Sequence, residues 1–214
     1  MKKGFTLIEI IAVVSLIAIL GLIGTISVTT ILKNNRNESY KLQINNIKEA
    51  TKVWGSKRLF VLPDDGNTIS LKLVYLKQEG LIDKDIKNPK TEKLFSDDTV
   101  ITITKKNNIF EYNVIDSDTD SNNYNQTLPQ IILKGESEVT VTGSTTSTGF
   151  YNDLGAIGLT TSGKTNSNIT KTITLNESQV DSIPLNQENN YLITYKLNID
   201  GLEQTFIRKV SVKF

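Results

Sequence analysis

Residues 10–32 read IIAVVSLIAILGLIGTISVTTIL, a run without a single charge. At ~1.5 Å per residue, a helix over this run reaches ~34 Å, enough to cross a hydrocarbon core of ~30 Å. A secretory signal has an apolar region of about 7–15 residues followed by a small-x-small cleavage site. This run is longer, and its best candidate for such a site is Thr25-Ile26-Ser27. An anchor is therefore the better reading than a discarded signal.

Outward toward the N-terminus, Glu9 is the only charge between Gly4 and Lys33. A carboxylate well inside a bilayer costs on the order of 3 kcal/mol, so such a residue usually has a partner or a function. The positive end of the helix dipole offers a plainer account, with Glu9 held at the interface near the helix start.

The surrounding residues favour function. Met1-Lys2-Lys3-Gly4-Phe5-Thr6-Leu7-Ile8-Glu9 resembles the class III signal of type IV prepilins and pseudopilins. That resemblance implies a leader over 1–4, removed by a membrane prepilin peptidase between Gly4 and Phe5. It also implies N-methylation of Phe5 and a role for Glu9 in assembly. In a bundle of such helices, Glu9 of one subunit can neutralise the Phe5 α-ammonium of a neighbour, two charges too costly to bury singly. Lys2 and Lys3 suggest a cytoplasmic N-terminus, but Lys33 and Arg36 follow the span closely. Charge counting alone therefore leaves the orientation open, and the resemblance supplies an outward C-terminus.

Outward in the other direction, no Pro or Gly interrupts the chain between Leu32 and Gly55. Tyr40, Ile44, Ile47, Thr51 and Trp54 recur at helical spacing and form a mostly apolar stripe that predicts packing on a sheet. Phe5 to about Arg58 reads as one helix, the assembly and transmembrane part over 5–32 and the remainder in a headpiece over 33–117. Gly21 and Gly24 weaken the anchor locally. Ser70 is expected to cap a short helix carrying Leu71, Val74 and Tyr75 and stopped by Gly80. Thr99–Thr104 and Asn108–Ile115 read as strands joined at Lys106-Asn107-Asn108. Leu76-Lys77-Gln78-Glu79-Gly80-Leu81-Ile82, followed by Asn88-Pro89-Lys90, resembles a segment of Gram-positive minor pilins.

Asp116-Ser117-Asp118-Thr119-Asp120 has alternating carboxylates, as calcium loops do. An EF-type loop would need Glu at Thr127 and a Gly at its sixth position, and neither is present. The stretch 118–128 reads as a linker. Beyond it, strands are expected at Gln130–Leu133, Glu138–Thr142, Ile169–Leu175, Tyr191–Ile199 and Gln204–Phe214, with Asp200-Gly201 as a hairpin turn. Their alternation argues a β-sandwich over 129–214. Pro129–Gly135, Val139-Thr140-Val141 and Tyr151-Asn152-Asp153-Leu154-Gly155-Ala156 resemble the bacterial Ig-like repeat. Where that repeat carries an acidic Asp-Gly-Asp-Ile run, this chain has Asn166-Ser167-Asn168-Ile169, so no metal site is assigned.

The expected fold class is α+β. A long N-terminal helix packs on a small antiparallel sheet, and an Ig-like β-sandwich follows. With no Cys and no His, the chain lacks thiol nucleophiles, imidazole bases and a disulfide framework. No catalytic, cofactor-binding or metal-ligating residues are assigned, and no enzymatic activity is expected. Residues 1–58 carry nine basic and three acidic side chains, a net +6, while 110–214 carry seven and twelve, a net −5. The basic excess adjoins the apolar run and reads first as a solvated helix face, with contact to lipid headgroups or another anionic surface as the alternative.

The reading is a structural subunit, minor or at the tip, of a type IV pilus or pseudopilus on a Gram-positive surface. It is membrane-inserted first and extracellular after assembly. Its partners are other pilin subunits, the prepilin peptidase, the membrane and a surface ligand. One alternative is a membrane-anchored adhesin that never polymerises. Another is a pseudopilin of secretion or DNA uptake, with Lys33, Arg36, Lys41, Lys48, Lys52, Lys57 and Arg58 toward phosphates. Nothing in the sequence supports DNA directly.

Overall fold

A computed structural model describes residues 6–117 and 128–214, and for 20–28 the helical backbone alone. The first element is helix α1, Leu7–Ser56. Its C-terminal half follows the predicted stripe: Ile47, Thr51 and Trp54 are fully buried, and Tyr40 and Ile44 pack partly buried beside them. The Thr51 hydroxyl donates to the Ile47 carbonyl at 2.7 Å, so a polar residue sits in the stripe without an unpaired group.

The stripe lies on a six-stranded sheet. Strand β1 (Thr68–Lys72) pairs with β2 (Val100–Lys106), and β2 with β3 (Ile109–Ile115), all antiparallel. The β2–β3 turn is Asn107-Asn108, both at positive φ, as a two-residue hairpin of this hand requires. Register places Ile69 opposite Ile103, and Ile103 opposite Tyr112. These side chains share the face that meets α1, together with Leu71, Ile101 and Val114.

Ser70 is not a helix cap. It lies in β1, and its hydroxyl donates to the Gly135 carbonyl at 2.8 Å. Helix α2 (Leu73–Gln78) starts after it with Lys72 at the N-cap position and no side-chain cap. The run Thr-Ile-Ser-Leu-Lys alternates polar and apolar, and pairing on both sides decides for strand over cap. Gly80, at positive φ, does stop the helix.

The sheet continues beyond the predicted linker. Strand β4 (Gln130–Lys134) pairs antiparallel with β1, with Ser70 opposite Leu133, and β6 (Ala156–Leu159) and the two-residue β7 (Thr165–Asn166) follow. The strand order is β3-β2-β1-β4-β6-β7. Consecutive residues of β4 feed two cores: Ile132 points into the cluster under α1, Ile131 and Leu133 into a second cluster on the opposite face. A continuous apolar run is what a strand buried on both faces needs.

The second cluster is covered by a five-stranded sheet in the order β5-β11-β10-β8-β9, made of β5 (Glu138–Thr142), β8 (Ile169–Leu175), β9 (Ser178–Val180), β10 (Asn190–Ile199) and β11 (Leu202–Lys213). Asp200 and Gly201, both at positive φ, turn β10 into β11 as predicted. Strands β1, β6, β7 and β9 are additions to the predicted set. The layers are helix, six-stranded sheet and five-stranded sheet, an α+β architecture.

Two polar devices tie these layers together. The fully buried Tyr75 hydroxyl donates to the Ile131 carbonyl at 3.2 Å and accepts from its N–H at 2.9 Å, and burial pushes this phenol up to about 12. Arg58 makes two hydrogen bonds to the Glu79 carboxylate, at 2.6 and 3.1 Å, and Gln130 donates to the same carboxylate at 2.9 Å. The ends of α1 and α2 are thus fastened to the start of β4. Across the boundary expected between 117 and 129 the two cores share chain: Ile132 and Leu159 lie in the cluster under α1, Val100 packs against the second cluster, and one sheet runs through both. Residues 118–127 lie outside the described residues.

Candidate processing and assembly site

Helix α1 begins with its own lock. The Thr6 side chain accepts from the Glu9 N–H at 3.3 Å, and the Glu9 carboxylate accepts from the Thr6 N–H at 3.0 Å and from its hydroxyl at 2.9 Å. This is a capping box: two otherwise orphaned N–H groups of the first turn are satisfied reciprocally. Thr6-Leu7-Ile8-Glu9 carries the T-x-x-E spacing that announces it. The residue to add to the predicted set is therefore Thr6. Both contacts to the carboxylate fall on Oε2, and among the described residues Oε1 accepts none. Gly4 and Phe5 lie outside the described residues.

Above this cap the helix carries apolar side chains with no protein cover. Leu7 and Ile8 are three-quarters exposed, and Ile10, Ile11, Val13, Val14, Leu16, Ile17 and Ile19 are more than half exposed. Ile31 and Leu32 are likewise more than half exposed. So much contiguous apolar surface marks a face that another medium or molecule covers. Among the described residues no helix is long and apolar enough to cross a membrane. The middle of the uncharged run, residues 20–28, has no described side chains.

Residues 1–25 match the prokaryotic N-terminal methylation motif. The chain carries a prepilin-type signal. The match covers Gly4, Phe5 and Glu9, and it supports the resemblance to type IV pilins and pseudopilins. Comparison with curated proteins and with solved structures gave no match.

The remaining predicted sites resolve as follows. Of the seven basic residues considered for DNA, four are in ion pairs: Arg36 with Glu92, Lys41 with Glu38 at 2.9 Å, Lys52 with Glu49 at 2.6 Å and Arg58 with Glu79 at 2.6 Å. Asp116 is occupied by hydrogen bonds from Asn88, Thr99 and the Ser117 N–H, and Asp118 and Asp120 lie outside the described residues. No cluster of three or more metal-ligating side chains occurs among the described residues.

The C-terminal sheets enclose a cleft of about 580 Å³ whose lining includes Asp153, Gly158, Asn166, Lys171 and Tyr195. Its acidic residue is already spent. Asp153 binds the buried Arg208 through one oxygen, and Tyr195 and Lys171 through the other. Burial first, and then the hydrogen bond to Asp153, push the Tyr195 phenol well above its usual range. Arg208 also donates to the Glu136 carbonyl at 2.9 Å and to that of Lys134. Those carbonyls flank Gly135, at φ +90°, where the chain leaves the six-stranded sheet to join the other as β5. The cluster holds a strand switch together.

Proposed function

We propose that this chain is a prepilin, trimmed between Gly4 and Phe5, N-methylated on Phe5 and built into a type IV pilus or pseudopilus as a minor or tip subunit. The methylation motif over residues 1–25 carries the reading. On it, 1–4 is the leader and 5–32 first lies in the membrane and then in the core of the filament. Residues 33–117 form the headpiece, and 129–214 display an Ig-like sandwich for spacing or adhesion. The prepilin peptidase and other pilin subunits are its partners. No catalytic step belongs to this chain.

The geometry at the helix start fits assembly. The cap uses one oxygen of Glu9 and leaves the other for the Phe5 ammonium of a neighbouring subunit. The exposed apolar side chains from Leu7 to Ile19 supply the surface that a helical bundle buries. Exposing such surface to water costs roughly 25 cal/mol per Å², so helices that have left lipid are held in the bundle.

Co-expression with a prepilin peptidase tests this. The natural chain is expected to lose Met1–Gly4, whereas Gly4→Leu, which fills the position before the scissile bond, is expected to keep them. Equal trimming of both, or of neither, would remove the prepilin reading.

A further inference from the structure

The foot of the headpiece contains a second cleft, of about 450 Å³, lined by Thr29, Leu32, Lys33, Arg36, Asn37 and Lys90. Its floor belongs to the end of the uncharged run, its wall to the first polar turn of α1, and its roof to the loop before β2. We propose that this cleft holds the phosphate of an anionic phospholipid, at the membrane surface where α1 emerges. The inference rests on the reading that Ile10–Leu32 lies in the membrane before assembly.

Position along the helix sets the level. With Leu32 at the edge of the hydrocarbon core, Lys33 stands ~1.5 Å and Arg36 ~6 Å beyond it along the axis. The headgroup layer is about 5–8 Å thick on each side of the core. Both cations therefore lie at phosphate depth. Lys90 comes from the other side of the cleft, and its ammonium rests 3.8 Å from the centroid of the Tyr40 ring, a cation–π contact that holds the headpiece loop against α1.

Charge gives the sign. Three cations face one carboxylate, since Glu92 pairs with Arg36 from the rim. Lys33 has no ion pair among the described residues. Farther along α1, Lys41 and Lys52 are each matched by a carboxylate three residues earlier, and neither Lys48 nor Lys57 lines this cleft, which Lys33, Arg36 and Lys90 share. Asn37 adds neutral hydrogen-bonding capacity for phosphate oxygens. Thr29 and Leu32 offer apolar contact for the adjoining glycerol and acyl carbons.

The test is native mass spectrometry of the full-length chain in a non-ionic detergent, titrated with phosphatidylglycerol or phosphatidylcholine. Each basic residue near an anionic lipid surface is worth about fivefold in binding. Phosphatidylglycerol is therefore expected to be retained at least about fivefold over phosphatidylcholine. Lys33→Gln/Arg36→Gln/Lys90→Gln should abolish the preference. Glu92→Gln, which frees Arg36, should raise retention. Undiminished phosphatidylglycerol binding by the triple variant, or no gain from Glu92→Gln, overturns the site. Displacement of the lipid by millimolar glycerol phosphate would show a soluble-phosphate site and overturn the lipid assignment. Alkaline extraction of membranes separates the two claims. A chain released by carbonate removes the membrane reading itself, while an integrated chain without lipid preference removes only the cleft.

Discussion

Glu9→Leu is expected to leave the chain trimmed and in the membrane but missing from sheared filaments. In the single subunit, Glu9 closes the capping box with Thr6. Leu favours hydrocarbon, so insertion has no reason to suffer. In a filament the substitution leaves a neighbour's Phe5 ammonium buried without a counter-charge, and breaking a buried pair typically costs roughly 3–5 kcal/mol. Losing the cap contributes only about 1 kcal/mol of that scale. Thr6→Ala separates the two effects, because it removes the cap and keeps the carboxylate; it should assemble nearly as the natural chain does. Glu9→Asp should be intermediate, with its charge retained and its reach shortened. The measured quantity is the ratio of filament to membrane protein, with trimming checked separately. Normal incorporation of Glu9→Leu would leave the anchored adhesin as the better account.

Asp153→Asn is expected to be the most damaging single change in the C-terminal half. The substitution keeps the shape and removes the charge that Arg208 and Lys171 share. Arg208 is fully buried and cannot turn to solvent. The cost of such an orphaned charge is roughly 3–5 kcal/mol, a fall in melting temperature of roughly 10 °C for a chain of this size. Asp153→Leu with Arg208→Met removes both partners and should cost less than Asp153→Asn alone. Thermal unfolding followed by circular dichroism checks both. Because β4 lines both cores, the loss should appear in one transition that also exposes Trp54. A separate early transition of the C-terminal sheets alone would contradict the coupling through β4.

Much of this architecture is legible from local pattern. The stripe from Tyr40 to Trp54, the Asn107-Asn108 turn and the Asp200-Gly201 turn each need only a few residues to announce themselves. What escapes the sequence is what depends on distant partners. Ser70 reads as a cap until the residue just after β4, Gly135, supplies its carbonyl from sixty-five residues away. Gln130–Leu133 reads as a strand of a separate module, and only the register with β1 places it between two cores. Strand β7, at two residues, is too short to carry a period. At the candidate site, Gly4, Phe5 and Glu9 follow from the signal, while Thr6 follows from capping geometry that the T-x-x-E spacing already encodes. The buried Asp153–Arg208–Tyr195 cluster joins the β10–β11 hairpin to Asp153, forty-two residues before Tyr195, and no local pattern predicts that meeting.

Mass and N-terminal sequence of the protein recovered from the surface of native cells test the central claim most directly. The account predicts a chain that begins at Phe5 and carries one methyl group on its α-nitrogen. A surface chain that still begins at Met1, or one that begins near Val28, would contradict it.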